Sequence, residues 1–175
     1  MRIVGCSFAR AESGILYRLI ENPHRMEMYV MSLNEPDLTC AEALGMRHVG
    51  TKDIGMLREA IRTGAVYRFD LLAAPAKKVA RGGNNSVRVY LSSPDTRKAW
   101  LDRKAGQNGF AVEFVDEQGE QTISGCKDGN HVTNRAMRFV GVLRVTDLAL
   151  FWRGYCGGIG PGKAYGLGMF LIRGM

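Results

Sequence analysis

The chain has 175 residues, of which 46% are hydrophobic, so it can bury a core and is not a disordered tail. Its 24 Lys and Arg against 17 Asp and Glu give a formal charge of +7, which favours a polyanionic partner, nucleic acid first, over a merely basic protein. No apolar run approaches the ~18 residues of a membrane span, and the N-terminus lacks the apolar core of a signal peptide. We therefore expect a cytoplasmic protein with no membrane partner.

Hydrophobic periodicity and turn residues predict most of the elements. In chain order they begin with strands over residues 14–19 and 26–31, a helix over 53–62, and strands over 65–75 and 86–91. A helix follows with Ser93 as its cap and Pro94 in its first position, and it closes at Gly106. The remaining elements are a strand over 110–115, a mobile polar loop over 118–134, a strand over 136–145, a short helix capped by Thr146, and a last strand over 166–172.

From residue 65 onward the order of elements is close to a β-α-β-β-α-β ferredoxin-like unit with one extra strand. Residues 1–64 supply two strands and a helix, which form only the back half of another such unit. We therefore predict an α+β fold of tandem ferredoxin-like (RRM-like) units. The partial N-terminal unit covers residues 1–64, and the C-terminal unit with its glycine-rich loop covers residues 65–175.

The four cysteines give no sign of a metal site. None belongs to a Cys-x-x-Cys pair, the usual spacing of zinc ligands. Scattered cysteines are typical of a reducing compartment, where most are small buried hydrophobes. We expect no metal and no cofactor.

The strongest local signal is a glycine-rich loop, GGIGPGKAYGLG, at residues 157–168. Its first seven letters match a P-loop, but Ala164 follows Lys163 and offers no hydroxyl to magnesium, and the loop follows a helix rather than a strand. A nucleotidase is therefore rejected. Backbone N–H groups at Gly160 and Gly162, together with Lys163, would still suit a phosphate of RNA. The alternative is a tight structural turn, since glycines allow positive φ and close backbone approach.

Two clusters of basic residues are candidate RNA contacts, because A-form RNA offers phosphates and 2′-hydroxyls more readily than base edges. The first cluster consists of Lys77, Lys78, Arg81 and Arg88, and the second consists of Lys127, Arg135 and Arg138. A solvated charged face is the alternative for each. Four basic residues of one predicted helix are expected to be ordinary solvated charge, with a groove-facing helix as the alternative: Arg97, Lys98, Arg103 and Lys104.

Several segments, in matching order, resemble the CRISPR-associated repeat-processing endoribonuclease of the CasE type, a member of the RAMP superfamily. The most specific is GIGPGKAYGLG, which lies between a final short helix and a final strand. Upstream matches are ILYRL (15–19), YRFDLLAAPAKK (67–78), VRVYL (87–91), AWL (99–101), GF (109–110) and FVGVLRVTD (139–147). The resemblance covers nearly the whole chain.

This resemblance implies two tandem ferredoxin-like units that bind the stem-loop of a CRISPR repeat transcript and cut at the base of the stem without metal. The ribose 2′-OH attacks the adjacent phosphate and leaves a cyclic phosphate. The resemblance also implies the partners. These are CRISPR RNA, on whose 3′ stem-loop the enzyme stays, and other subunits of the interference complex.

The family's catalytic histidine lies on or beside a helix that precedes the ILYRL-like strand. The fourteen residues before Ile15 contain neither His nor Tyr, so these positions have no match. Either the given start is too late, or the N-terminal element is missing, or this member does not cut by the usual route. His131 is the candidate replacement, because histidine suits both proton transfers of RNA self-cleavage and Lys127 and Arg135 are near in sequence to hold phosphate.

Three functions stay open at this point. The first is a metal-independent endoribonuclease of CRISPR repeats, and the second is a non-cleaving RNA-binding subunit of the same fold. The third is a basic ferredoxin-like assembly protein with a purely structural glycine loop. Only the first two predict tight RNA binding with a steep salt dependence.

Overall fold

The computed structural model describes residues 14–82, 86–127 and 130–175, with the side chains of residue 40 and of residues 126–131 outside the description. The strands are β1 (Leu16–Asn22), β2 (Arg25–Met31), β3 (Val66–Ala73), β4 (Ala76–Ala80), β5 (Ser86–Tyr90), β6 (Phe110–Lys127), β7 (Asn130–Val145) and β8 (Phe170–Gly174). The helices are α1 (Thr39–Ala43), α2 (Gly55–Ala60), α3 (Pro94–Gln107) and α4 (Leu148–Gly157), and a 3-10 turn spans Lys163–Tyr165. None of these helices is long and apolar enough to span a membrane.

A four-stranded sheet organises the C-terminal part. Its strand order is β6-β7-β3-β8, and all neighbours are antiparallel. The chain order β3, α3, β6, β7, α4, β8 is that of a ferredoxin-like unit. A two-stranded ribbon, β4-β5, is inserted between β3 and α3, and the β1-β2 hairpin precedes the sheet. The predicted α+β, ferredoxin-like fold class is confirmed, and the division at residue 64 stays a prediction.

The main core lies on the helix side of this sheet. Phe69 and Leu71 of β3 share it with Leu101 of α3 and Phe151 of α4, and each is at most 2% exposed. Phe110 meets Phe151 edge to face, with ring centroids 6.1 Å apart. The core therefore fixes both helices against the sheet.

Strand β1 joins the N-terminal hairpin to the C-terminal sheet through a buried ion pair. Arg18 is only 3% exposed, and its Nη2 lies 2.7 Å from Oδ1 of Asp70. Its Nη1 also donates to the backbone carbonyl of Asp70 over 3.1 Å. A buried guanidinium is tolerated only where such partners replace water. The pair therefore fixes where β1 sits on the sheet.

The predicted mobile loop over residues 118–134 is wrong. Most of this segment belongs to a long hairpin in which β6 and β7 pair as far as Lys127 and Asn130. A register shift between Glu117 and Glu120 marks a bulge, and Gly119 within it has a φ of 109°. Pairing resumes at Glu120 after the bulge and continues to the end of the hairpin.

Three smaller predictions also need correction. The last strand begins at Phe170 rather than at residue 166, because Gly166 and Gly168 have positive φ and cannot extend a strand. Asp147, not Thr146, caps α4, and its carboxylate accepts a backbone N–H over 2.8 Å. The helix predicted over residues 53–62 is the shorter α2, and α1 was not predicted.

Candidate nucleic-acid interface

A cleft of about 840 Å³ lies between the β4-β5 ribbon, helices α3 and α4, and the glycine-rich loop. Its basic lining residues are Lys77, Lys78, Arg88, Arg103, Lys104, Arg153 and Lys163. The other lining residues within the described ranges are neutral, so this part of the wall has seven cations and no carboxylate. We call it the basic cleft. Such a surface attracts polyanions.

The β4-β5 ribbon supplies three of the cations. Antiparallel pairing sets Lys78 directly opposite Arg88, and Lys77 opposite Val89. All three basic side chains are exposed, and like charges at directly opposite positions destabilise a sheet. An anion bound between Lys78 and Arg88 would relieve this repulsion. Arg81, the fourth residue predicted for this cluster, is exposed just beyond β4 and does not line the cleft.

Helices α3 and α4 supply three more cations. Arg103 and Lys104 lie one helical turn beyond the buried Trp100, where α3 borders the cleft. The pKa of Lys104 is lowered by partial burial and by the positive charges of Arg103 and Lys163. Arg153 lines the cleft from α4. These positive groups repel one another because they border the same cleft. An anion bound there would be attracted by all of them.

The glycine-rich loop reaches the cleft because its glycines occupy positions that are closed to other residues. Gly160 has a φ of 81°, and a Cβ there would lie 3.0 Å from the ring of Trp100. Gly162 has a φ of 86°, but Leu167 fills the space beside it and it does not line the cleft. Lys163 is exposed and lines the cleft.

Strand β1 clamps the other side of this loop. The hydroxyl of Tyr17 donates to the carbonyl oxygen of Ala164 over 2.9 Å, and a Cβ at Gly166 would lie 2.8 Å from the Tyr17 ring. Burial, with a further contribution from Tyr165, raises the pKa of Tyr17 to about 12, so its hydroxyl stays a donor at neutral pH. The tight turn that the sequence left as an alternative is present. The same turn presents Lys163 to the cleft.

The second predicted cluster lies on the β6-β7 hairpin, where carboxylates hold its described arginines. Arg135 donates to Glu120 over 2.7 Å, and its guanidinium lies 4.5 Å from the centroid of the Tyr90 ring. Arg138 donates to both carboxylate oxygens of Asp70, over 2.6 Å from Nη2 and over 3.1 and 3.2 Å from Nε. These ion pairs neutralise positive charge that would otherwise attract a phosphate.

The candidate catalyst His131 lies near the tip of the same hairpin, where its backbone pairs with Cys126. The side chains of His131 and Lys127 lie outside the described residues. The neighbouring residue pair of the hairpin, on the side away from its tip, includes Gly125. Gly125 packs against the ring of Tyr165 in the 3-10 turn, and a Cβ added at Gly125 would lie 2.8 Å from that ring. The hairpin that bears His131 therefore touches the glycine-rich loop.

Three cleft residues are not among those predicted to bind RNA. Arg103 and Lys104 are expected from the sequence to be solvated, and nothing in it singles out Arg153. One signal points to the first two, since they follow the apolar Trp100 by three and four positions and so share its side of the helix. Arg153 reaches the cleft through the packing of α4 beside the loop, which periodicity does not reveal.

Comparisons with known proteins agree with this fold. A family model described as CRISPR associated protein matches residues 1–174. The chain is 34% identical over 130 residues to the CRISPR-associated endoribonuclease Cse3 of Thermus thermophilus, a match that covers 65% of this chain and 58% of that protein. The matched part is thus less than two thirds of that relative's length.

Two solved structures extend the likeness. The CRISPR endoribonuclease Cse3 bound to a 19 nt RNA gives a TM-score of 0.77 at 25% identity, over 98% of this chain and 87% of that one. A chain of a CRISPR RNA-guided surveillance complex gives a TM-score of 0.73 at 24% identity, over 97% of this chain and 81% of that one, and shows the fold alone. The resemblance to the CasE type is confirmed, and the chain belongs to the CRISPR associated protein family.

Proposed function

We propose that this chain binds the stem-loop of CRISPR repeat RNA in the basic cleft. The observation that carries the proposal is the cleft wall, whose described residues include seven cations and no carboxylate. Cations from a ribbon, two helices and a loop can neutralise several phosphates of a folded RNA at once. The likeness to Cse3, which was solved with bound RNA, supports the same class of ligand.

We further propose that the chain processes precursor transcripts by metal-independent cleavage at the base of the stem. The ribose 2′-oxygen attacks the adjacent phosphorus as a base removes its proton, and an acid protonates the departing 5′-oxygen, which leaves a cyclic phosphate. Lys104 and Lys163 are placed to stabilise the charge that develops on the phosphate. His131 is the proposed proton-transfer group, because the hairpin that bears it touches the glycine-rich loop.

A non-cleaving RNA-binding subunit of the same fold is the second candidate. The described wall of the cleft contains no histidine. His24 is exposed in the turn between β1 and β2, and His48 is exposed with its Nε2 2.9 Å from Oγ1 of Thr51. For either candidate we propose that the 3′ stem-loop stays bound and that other interference-complex subunits are partners. The matched fold of a surveillance-complex chain supports this.

Incubation of the full chain with a stem-loop repeat RNA in EDTA, beside a binding titration, separates the candidates. A single cut at the base of the stem is expected on a denaturing gel. His131→Ala should abolish the cut, while His48→Ala, a change at an exposed histidine outside the cleft, should not. Tight binding without a cut supports the second candidate. Weak, salt-insensitive binding would refute both and leave the assembly protein.

A further inference from the structure

The C-terminal sheet has a second face, opposite to the one that the helices cover. Side chains alternate along a strand, so Phe69 and Leu71 of β3 point into the core while Arg68 and Asp70 point the other way. The N-terminal hairpin reaches this face at Asp70, through the Arg18 ion pair. Arg68, two residues earlier, stays exposed. Within the described parts of the chain, this end of the second face is therefore open.

One line of side chains crosses the open end. Phe114 of β6 pairs with Val142 of β7, and Val142 pairs with Arg68 of β3. Arg68 in turn pairs with Arg173 of β8. Directly paired residues lie on the same face of an antiparallel sheet. With strands ~4.8 Å apart, the backbone at Phe114 lies ~10 Å from that at Arg68 and ~14 Å from that at Arg173. We call these four residues the open-face row.

A β-bulge turns Phe114 toward solvent. The pairing register of β6 shifts between Val112 and Phe114, and bulges re-aim the side chains that follow them. Gly141 on β7 permits the close approach, because a Cβ there would collide with the carbonyl oxygen of Phe114. The Phe114 side chain is left 63% exposed. It offers the flat apolar surface on which an unpaired base stacks.

The net charge of the open-face row is positive. Arg68 and Arg173 are exposed and directly opposed, and within the described ranges neither forms an ion pair. On the same face, arginines already pair with Glu113 and Asp70, whereas Asp116 keeps its negative charge because its hydrogen-bond partner is a neutral glutamine. Arg68 and Arg173 together outweigh that one charge. Opposed like charges repel until an anion lies between them. The row therefore favours a ligand that has both an aromatic face and phosphates.

We propose that the open-face row binds a single-stranded segment of RNA, with a base stacked on Phe114 and phosphates held by Arg68 and Arg173. A single strand fits because a base inside a duplex cannot offer its face to a ring. Helices α3 and α4, which line the basic cleft, cover the opposite face of the sheet. The row is thus a second site, for RNA that flanks a stem held in the cleft. The proposal rests on the proposed function only in taking RNA as the ligand.

Titrations of the full chain with three probes test the proposal: a bare hairpin RNA, the same hairpin with an oligouridine extension, and oligouridine alone. The extension should tighten binding at least about fivefold, which is the effect of a stack worth ~1 kcal/mol. Phe114→Leu and Arg68→Gln should lose this gain and leave bare-hairpin binding unchanged. Phe114→Tyr, which keeps the ring, should retain it. Arg47→Gln, a change at an exposed arginine outside the row and the cleft, is the control.

The outcomes separate the row from the cleft. An extension that adds no affinity, or a gain that survives both Phe114→Leu and Arg68→Gln, overturns the proposal even when the bare hairpin binds tightly. If the bare hairpin fails to bind while oligouridine binds and is lost in Phe114→Leu, the cleft function is refuted and the row is supported. Loss of bare-hairpin binding in Phe114→Tyr would mean that the changes act on folding, and this too would overturn it.

Discussion

The wall of the basic cleft predicts how RNA binding responds to salt. Each phosphate that a lysine or arginine neutralises releases counterions, so log affinity falls by about 0.7 to 0.9 per unit of log salt concentration. If each of the seven cations meets one phosphate, the slope is roughly −5 to −6, and a fourfold rise in salt weakens binding about 10³-fold. Changing Lys78, Arg88 and Lys163 to glutamine together should make the slope shallower by about 2 to 3.

The assay is an equilibrium titration of a labelled stem-loop RNA over a range of KCl concentrations. Lys98→Gln is the matched control, since Lys98 is exposed on α3, pairs with Asp102 over 2.8 Å and does not line the cleft. Its slope should equal that of the unmodified chain. An unchanged slope in the triple variant, or an equal change in the control, would show that phosphates are held elsewhere.

Three further predictions concern stability. Gly168→Ala should lower the free energy of unfolding by about 1–3 kcal/mol and lower the Tm, because φ at this position is 87° and the new Cβ would lie 2.6 Å from a backbone oxygen. The control is Gly157→Ala, where the new Cβ meets open space and the loss of stability should be far smaller. Burial tends to raise the pKa of Asp70, but hydrogen bonds and charge from Arg138 and Arg18 hold it below its usual value. The ionised Asp70 therefore stabilises the fold fully at pH values above the ordinary pKa of aspartate, and this contribution is lost as pH falls through the lowered pKa. The stability of Asp70→Asn, measured by urea unfolding, should not show this dependence on acid pH. Tyr17→Phe should cost about 1 kcal/mol at neutral pH. It should also remove the loss of stability expected as pH rises from 10.0 to about 12.

Periodicity predicts strands well where one face is buried and poorly where most side chains of a strand are exposed. Residues 65–75 and 136–145 alternate because their strands cover the core, and both are strands in the structure. Beyond the bulge most side chains of the β6-β7 hairpin are polar and exposed, although Ile123 packs against the buried cluster of Leu72, Ala74, Ala136 and Leu167. The sequence of that part therefore shows no clear alternation of apolar and polar residues. The usable signal there was β-branched residues such as Thr122, Ile123, Val132 and Thr133. A second signal was Asp128-Gly129, a dipeptide favoured in two-residue hairpin turns.

The candidate site shows a different limit. Lys78 and Arg138 are both basic residues on strands, and sequence alone treats them alike. The structure separates them, because Lys78 faces another cation across the ribbon whereas Arg138 is bound by Asp70, 68 residues away. Which cations are available to RNA depends on where the carboxylates fold, and that is a property of tertiary pairing. The glycine-rich loop could be recognised from sequence alone, because positive φ and close packing require glycine at fixed positions.

Strand β1 does not line the basic cleft, yet the position of Lys163 depends on it. Consecutive residues of a strand point to opposite faces, so Tyr17 can hold the loop while Arg18 holds Asp70 on the sheet. The hydrogen bond from Tyr17 ends at Ala164, the residue that follows Lys163. A change that loosens β1 should therefore weaken the contribution of Lys163 to RNA binding without removing any cation. On this reasoning the N-terminal hairpin acts as a support for the cleft, and Tyr17 is a positioning residue for it.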